Sequence, residues 1–356
     1  MDGSGLLTLT EERQGQVDAV LARFFSLAKN RAAAFGPQYV QLWQTLEHNT
    51  IGGKRFRPRM VMAAYQSLGG TDVEAAAYIG AAFELLHTAL IVHDDVIDHD
   101  FMRRGVPNIS GSYRDLATAS GRSERVAEHS GISAAVIAGD LALFNSYRLI
   151  DRSGVADVTR ARLLEVMDEA LFASAAGELI DVDFAIAAEV PRVDDILTME
   201  RLKTAVYSFE CPLQAGAILA GASEEVIATL GDFGREIGIA YQIVDDLLGV
   251  FGVEAETGKT TIGDLREGKR TVLIAYATST REWADIQHLI GSPDLAEDEA
   301  ETVRELLISS GAKSFAEGLA RYYGNRALAR LAEPHIPPAL RAELHPVADA
   351  VLGRVK

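Results

Sequence analysis

Long apolar stretches with few helix-breaking residues dominate this sequence. Ala and Leu are abundant in each stretch, internal Gly and Pro are scarce, and several stretches have little polar surface. Helices that are apolar nearly all round are buried inside large helical assemblies. The stretches predicted to be helices are residues 72–98, 132–150, 158–187, 194–220 and 224–250. The chain is therefore predicted to be all-α.

Polar segments that contain Gly or Ser separate the predicted helices. They cover residues 100–130, 252–271 and 279–303 and are predicted to be loops or insertions. The sequence has no convincing alternating strand pattern, and no linker is long or biased enough to mark a domain boundary. A single helical domain over residues 1–356 is expected, with a flexible N-terminus at residues 1–13.

Charge and cysteine content limit the classes of partner. The 356 residues include 34 Lys and Arg against 51 Asp and Glu, a formal net charge of −17. Nucleic acids bind basic surfaces, so a nucleic-acid partner is not expected. An anionic substrate would need a bound cation or locally gathered Lys and Arg. Cys211 is the only cysteine, which fits a reducing cytoplasm. No signal peptide is expected, because the N-terminal sequence MDGSGLLTLTEER carries acids and has no apolar core. No membrane span is expected, because no uninterrupted apolar run reaches about 18 residues.

A cluster of carboxylates closes the first apolar stretch. The segment HDDVID, residues 93–98, places Asp94, Asp95 and Asp98 close together, because residues three and four apart lie on one helix face. Ionised carboxylates repel one another at the end of an apolar segment unless a cation joins them. Acid-rich oxygen sites suit Mg²⁺, which commonly also binds substrate phosphates. The cluster is therefore predicted to bind metal.

A second acidic pair, Asp245 and Asp246, ends the apolar stretch IGIAYQIVDDLLGVFG. Two acidic pairs, each closing an apolar helix, indicate two walls of one metal-lined pocket.

Basic residues are also clustered, although the chain has few of them. Those predicted to form anion sites beside the metals are Lys54, Arg55, Arg57, Arg59, Arg103, Arg104, Lys203, Lys259 and Lys269.

Other interpretations of these residues remain open. Glu84 and His87 match the E-x-x-H spacing of di-iron bundles, although no second E-x-x-H occurs. His93 and Asp94 resemble the metal dyad of helical HD phosphohydrolases, but that interpretation leaves the second acidic pair and the GGKR loop unexplained. Cys211 has no local base and is predicted to be a packed small residue.

The sequence resembles the trans-type polyprenyl diphosphate synthases from about residue 45 to the C-terminus. The motifs that carry the resemblance are GGKRFRP at 52–58, HTALIVHDDVID at 87–98 followed by RRG at 103–105, GELID at 177–181, KTA at 203–205, YQIVDD at 241–246 and GKTTIGDLREGKRT at 258–271. The resemblance implies an all-α, single-domain helical bundle around a deep central cavity, the isoprenoid synthase type of fold, assembled as a homodimer. It also implies a prenyltransferase that condenses isopentenyl diphosphate with allylic diphosphates and uses Mg²⁺.

The resemblance implies a role for each residue that matches a family motif. The metal ligands would be Asp94, Asp95, Asp98, Asp245 and Asp246. The residues on the allylic diphosphate would be Arg103, Lys203 and Lys259, with Lys269 also in the substrate-binding set. The residues on isopentenyl diphosphate would be Lys54, Arg57, His87 and Arg104. Thr204 and Gln242 would lie beside the reacting carbons, and Arg354 and Lys356 would help to close the site.

Two positions depart from the family's pattern. The second motif commonly reads D-D-x-x-D, but Gly249 replaces its last Asp, and Glu178 stands where many short-chain members have Gln. Activity is expected to survive the first change, because the first Asp of that motif carries the metal role. A class I terpene cyclase shares the fold and the first motif and is the other alternative, but it would need no second diphosphate site such as GGKRFRP.

Product length is predicted from the residues that precede Asp94. If this segment is one helix, Leu90, His87 and Phe83 share a stripe with Asp94. In the family, an aromatic residue four or five positions before that Asp stops chain growth early, but here those positions hold Leu90 and Ala89. Phe83 lies about 16 Å along the helix from Asp94 and is a candidate floor. A geranylgeranyl product is predicted, with longer chains as the alternative if Phe83 is only core packing.

Overall fold

A computed structural model gives the structure of residues 11–53, 55–103, 105–252 and 261–354. These residues are mostly helical, and the strands among them form one short hairpin. The chain divides into two compact units. The N-terminal unit comprises Leu7–Asp168 and Ala215–Ala222, and the C-terminal unit is formed mainly by Glu169–Gln214 and Ser223–Lys356. The single domain expected over the whole chain stays a prediction.

The N-terminal unit is built from helices joined by short turns. Its helices are α1 (Glu11–Ala32), a 3-10 turn (Ala33–Phe35), α2 (Pro37–Thr50), α3 (Phe56–Ser67), α4 (Val73–Ile97), α5 (Ile109–Ala119) and α6 (Glu124–Asp151). Two antiparallel strands, β1 (Met102–Arg103) and β2 (Val106–Pro107), follow α4. Because α4 packs against α1, α3 and α6, it lies at the centre of this unit. Helix α7 (Asp157–Ile186) begins in this unit and ends in the other.

Helix α4 carries the first acidic cluster, and its sequence explains where it begins and how it packs. The Asp72 carboxylate accepts a hydrogen bond from the backbone N–H of Ala75 at 3.0 Å, which caps the first turn. By length and composition α4 could cross a membrane, but 78% of its most apolar window is buried inside the fold, as in a core helix. A Cβ at Gly139 of α6 would lie 2.2 Å from Nε2 of His93, so glycine permits the close approach of these two helices.

The C-terminal unit contains a π-helical segment, whose turns are wider than those of an α-helix. Its elements are α8 (Val193–Glu200), a π-helical segment (Arg201–Glu210), the start of α9 (Cys211–Leu219), which ends in the other unit, α10 (Glu224–Phe251), α11 (Gly263–Glu267), α12 (Val272–Ala277), α13 (Trp283–Ile286), α14 (Glu297–Ser309), α15 (Ala312–Leu331) and α16 (Pro338–Leu352). Helix α10 packs against the π-helical segment and against α15.

Glycines let neighbouring helices approach the π-helical segment closely. A Cβ at Gly177 of α7 would lie 2.3 Å from the backbone nitrogen of Lys203, and a Cβ at Gly238 of α10 would lie 2.5 Å from the Cβ of Ala205. π-Helical turns occur frequently at functional sites. This one contains Lys203 and Thr204, both predicted to be site residues.

The long predicted helices agree with the structure, but part of the predicted loop at 100–130 is wrong. That region contains the hairpin, α5 and the start of α6. Helix α5 buries only its first turn, which is capped by the Asn108 side chain, because Oδ1 of Asn108 accepts a hydrogen bond from the backbone N–H of Gly111 at 2.8 Å. The strands are two residues long, too short for an alternating pattern to predict.

The other predicted loops also contain short helices, and the N-terminus differs from expectation. Helix α11 lies within 252–271, although residues 253–260 are outside the described residues. Helix α13 and the first turns of α14 lie within 279–303. Residues 11–13, expected to be flexible, belong to α1, and residues 1–10 are also outside the described part.

Candidate active site

The first acidic cluster lies at the end of α4, where an arginine bridges two of its carboxylates. Asp94 and Asp95 are in the last turn, and Asp98 caps the helix and is exposed. Nη2 of Arg103 in β1 lies 2.6 Å from Oδ1 of Asp95 and 3.4 Å from Oδ2 of Asp94. Burial raises the pKa of Asp95, and the Arg103 guanidinium opposes that rise. Asp94 is only half-buried and is thus the more accessible of the two.

The basic loop before α3 is held in an unusual backbone conformation. Gly52, Gly53 and Arg55 all have positive φ angles, of 97°, 83° and 48°. Arg55 is buried, whereas Arg57, in the first turn of α3, is half-buried. His87 is half-buried on α4, one helical turn before Leu90. The predicted substrate ligands Lys54, Arg104 and Lys259, and the tail residue Lys356, lie outside the described residues.

The second acidic pair belongs to a hydrogen-bonded chain within the C-terminal unit. The Thr204 hydroxyl donates to Oε1 of Gln242 at 2.9 Å, and the Gln242 amide donates to Oδ1 of Asp246 at 2.9 Å. This chain joins the π-helical segment to α10. Asp245 is half-buried and Asp246 is buried. The structure therefore places Thr204, Gln242 and Asp246 together.

Lys203 is joined to two acidic residues of α7. Its Nζ lies 2.6 Å from Oδ2 of Asp181 and 3.0 Å from Oε2 of Glu178. The departure from the family's pattern at Glu178 therefore adds an ion pair to the lysine that is predicted to contact diphosphate. Helix α7 can hold both acids beside Lys203 because Gly177 lets its backbone approach the π-helical segment.

Gly177→Ala is expected to lower the free energy of unfolding by about 1–3 kcal/mol, the usual cost of overpacking. The added Cβ would lie 2.3 Å from a backbone nitrogen, which cannot move as a side chain can. Urea denaturation measures the change. Gly318→Ala in α15 is the matched control, because no atom lies within 4 Å of its Cβ position, and it should stabilise the helix by about 0.5–1 kcal/mol. Equal effects of the two variants would contradict the packing argument.

Gly249 stands where the family's second motif commonly has its last Asp, and the Asp264 carboxylate lies beside this glycine. A Cβ at Gly249 would lie 1.9 Å from Oδ2 of Asp264, so the Asp264 carboxylate occupies the space beside α10 that a side chain at 249 would need. Nζ of Lys269 lies 2.8 Å from the other oxygen of Asp264. Burial alone would lower the pKa of Lys269, but Asp264 raises it above its ordinary value. Lys269, predicted to bind substrate, is thus paired with a carboxylate of its own segment.

Negative charge is concentrated around Asp246. Burial, together with the carboxylates of Asp245 and Asp264, raises the pKa of Asp246 to about 7 against the hydrogen bond from Gln242. Glu200, at the end of α8, is buried, and burial followed by the charge of Asp246 raises its pKa well above the usual value. Glu200 has no motif around it, so the sequence gives no signal for it.

The donor set fits a metal ion that is shared with a substrate. Among the described residues, no group of three or more His, Cys, Asp or Glu side chains could hold a metal ion alone. The acidic pairs nevertheless offer only oxygen ligands. Mg²⁺ is commonly bound by one or two carboxylates, with phosphate oxygens and water completing its coordination. The carboxylates present therefore fit phosphate-bridged Mg²⁺ better than a protein-only metal site.

The C-terminal tail approaches α10. The guanidinium carbon of Arg354 lies 5.9 Å from the ring centroid of Tyr241, a cation–π arrangement. Tyr241 directly precedes Gln242. The contact places the one described tail residue beside the second acidic motif, but its predicted closing role stays a prediction.

Comparison with known proteins identifies the family. The polyprenyl synthetase family model matches residues 40–307. The geranylfarnesyl diphosphate synthase of Aeropyrum pernix is 34% identical over 310 residues, which cover 86% of this chain and 91% of that protein. The chain belongs to the polyprenyl synthetase family. Its fold is similar to that of a geranylgeranyl pyrophosphate synthase from Corynebacterium glutamicum complexed with isoprenyl diphosphate and magnesium, with a TM-score of 0.89 at 29% identity, covering 96% of this chain and 98% of that chain.

Family membership confirms the all-α fold and the enzyme class predicted from the sequence. The protein is a trans-polyprenyl diphosphate synthase, which condenses isopentenyl diphosphate with allylic diphosphates. The residues of the alternative metal sites have other partners, since Glu84 pairs with Arg55, and Nε2 of His93 lies 3.5 Å from Oδ1 of Asp140 on α6. The individual roles of the site residues stay predictions.

Proposed function

We propose that the protein is a Mg²⁺-dependent geranylgeranyl diphosphate synthase that acts as a homodimer in the cytoplasm. Oxygen-only carboxylate pairs in each unit support the choice of metal. The magnesium bound to the Corynebacterium glutamicum relative supports the same choice. The cytoplasmic assignment is supported by the single cysteine, which is buried and reduced.

The proposed mechanism divides the work between charged and apolar residues. Bound Mg²⁺ would neutralise the diphosphate as it leaves. Asp94 and Asp245 would each be a metal ligand, and Arg103 and Lys203 would each be a hydrogen-bond donor to diphosphate. The apolar residues of α4 and α10 would exclude water, which would otherwise quench the allylic cation. No side chain is an obvious base, so the released diphosphate would take the proton that restores the double bond.

The product length rests on the change of burial along α4. Asp94, Leu90 and His87 are half-buried, whereas Phe83, the next residue of the same stripe, is only 1% exposed. Along this stripe of α4, partial solvent exposure therefore ends at Phe83, about 16 Å along the helix axis from Asp94. That distance suits a chain of about four isoprene units by the same rise. Ala89, the other predicted length residue, is fully buried, so Leu90 is the better position for a substitution.

Phe83→Ala is expected to lengthen the product, and Leu90→Phe is expected to shorten it toward the farnesyl chain. Phe83→Ala removes the side chain proposed to stop chain growth, and Leu90→Phe puts an aromatic side chain closer to Asp94, where growth would stop earlier. The measurement is chromatography of products made from labelled isopentenyl diphosphate and each allylic primer, with wild-type enzyme giving the geranylgeranyl product. Omitting Mg²⁺ and adding a chelator should abolish all products.

Leu85→Ala is the control for these variants. Leu85 is also fully buried on α4, but it lies two and a half turns from Asp94 and so on the opposite face of the helix. Its product length should not change. If Phe83→Ala and Leu90→Phe both leave the product length unchanged, α4 does not set it. A longer wild-type product would favour the alternative represented by the geranylfarnesyl relative.

The homodimer is supported by an exposed apolar stripe on α6. Val126, Ile137 and Phe144 are exposed, and their spacings of eleven and seven residues put them on one face of the helix. Phe144 is 64% exposed. Contiguous apolar surface of this kind marks an interaction site, and a twofold axis would pair the stripe with its own copy.

Ile137→Asp combined with Phe144→Asp is expected to convert the dimer into a monomer, because two buried charges would face their copies across the interface. Light scattering coupled to size-exclusion chromatography gives the mass of each species. Val158→Asp is the control, since Val158 is as exposed but lies on α7. A wild-type monomer, or a dimer that survives both substitutions, would contradict the proposed interface.

A further inference from the structure

Arg55 of the basic loop is buried and bound to three other segments of the N-terminal unit. Its side chain is only 1% exposed. Nη2 lies 2.8 Å from Oδ1 of Asp18, and Nη1 lies 2.9 Å from Oε1 of Glu84. Nη1 also donates to the backbone carbonyl of Thr50 at 2.8 Å. One guanidinium therefore joins the loop to α1, to the end of α2 and to α4.

The backbone at Arg55 is also constrained. Its φ of 48° lies in the left-handed region, which residues other than glycine rarely adopt. Such a conformation persists only where surrounding contacts fix it. The three contacts of the guanidinium provide that restraint at the residue that immediately precedes α3. They thereby set the direction in which the chain enters the helix that carries Arg57.

Stability alone does not account for this arrangement. A buried ion pair is often no more stable than an apolar replacement of similar volume, because both charges lose their hydration. Here one guanidinium faces the two carboxylates of Asp18 and Glu84. The second oxygen of Glu84, Oε2, is buried without a hydrogen-bond partner among the described residues. The network is better explained by the geometry it imposes.

We propose that Arg55 is a positioning residue that fixes the proposed isopentenyl diphosphate ligand Arg57 relative to His87. Arg55 is adjacent to Lys54 and two residues before Arg57, and its partner Glu84 is three residues before His87, which is nearly one helical turn. The Arg55–Glu84 contact therefore joins the two segments that carry these ligands. The proposal rests on the proposed roles of those ligands. It also explains the Glu84 position of the E-x-x-H pair, since Glu84 binds Arg55.

The test compares Arg55→Lys and Glu84→Gln by steady-state kinetics with each substrate varied in turn. Lysine keeps the charge but cannot contact three groups at once, and glutamine is isosteric with glutamate. We expect the KM for isopentenyl diphosphate to rise about ten- to hundredfold. The KM for the allylic substrate should change less than about twofold, which is the split expected when one binding site is misplaced.

A double-mutant cycle separates positioning from simple folding defects. If Arg55 acts through Arg57, the effect of Arg55→Lys on that KM should largely disappear in an Arg57→Ala background. The matched control is Arg23→Ala, since Arg23 of α1 forms an exposed ion pair with Glu74 of α4 at 2.9 Å and so joins two of the same helices. Neither KM should change in the control.

Three results would overturn the proposal. These are equal increases in both KM values, additive effects in the cycle, and a lower melting temperature of Arg55→Lys and Glu84→Gln with both KM values unchanged. Should Arg55→Lys fail to fold, the milder Glu84→Gln decides the question in the same assay. Wild-type enzyme that does not incorporate isopentenyl diphosphate would instead refute the proposed function, so the two failures are distinguishable.

Discussion

Asp94→Asn is expected to lower kcat/KM by about 10²–10³-fold at saturating Mg²⁺, while the folded structure survives. Asparagine keeps the shape of the side chain but removes the charge that would hold the metal. Asp94 is half-buried and accessible at the end of α4, and Nη2 of Arg103 lies closer to Asp95 than to Asp94. Removing one of two neighbouring carboxylates also relieves repulsion, so the melting temperature should not fall.

The effect of Asp94→Asn should appear in metal binding as well as in turnover. Titration calorimetry with Mg²⁺ in the presence of inorganic diphosphate should show weaker binding for the variant than for wild-type enzyme. Asp100→Asn is the control, because Asp100 is exposed, lies close to the motif and is outside it. Full Mg²⁺-dependent turnover in Asp94→Asn would refute the assignment of this cluster as a metal site.

The helices were predictable because their signal is local. The stretch predicted at 224–250 is α10, Glu224–Phe251, and the stretch at 72–98 is α4, Val73–Ile97. The π-helical segment, Arg201–Glu210, was not predictable in this way. Its widened turns depend on the close approach of Gly177 and Gly238 from other helices, and spacing within the segment does not report such tertiary contacts.

The types of residue in the candidate site were predictable from the sequence, but the acidic partner of each basic residue was not. Arg55 and Arg57 were both expected to bind anions, yet Arg55 is buried against Asp18 and Glu84. Lys269 was expected to bind substrate, yet its described partner is Asp264. The sequence gives the charges of a motif, but the fold determines which carboxylate each basic side chain contacts.

Gly249→Asp restores the third acid of the family's second motif, yet it is expected to reduce both stability and activity. The new Cβ would lie 1.9 Å from Oδ2 of Asp264, so Asp264 must move away and loosen its pair with Lys269. The substitution also adds a carboxylate to a cluster in which the pKa of Asp246 is already raised to about 7. We expect a loss of about 1–3 kcal/mol in the free energy of unfolding and at least a tenfold loss in kcat/KM.

Two further variants separate volume from charge at this position. Gly249→Ala adds only the clashing Cβ, so it should cost stability without adding negative charge, and any extra loss in Gly249→Asp reports repulsion. Combining Gly249→Asp with Asp264→Gly removes the displaced carboxylate and should recover much of the lost stability and activity. Urea denaturation and steady-state kinetics measure both quantities. If Gly249→Asp alone matched or exceeded wild-type enzyme, the space beside α10 would be free, and the structural account of why this chain keeps a glycine there would be wrong.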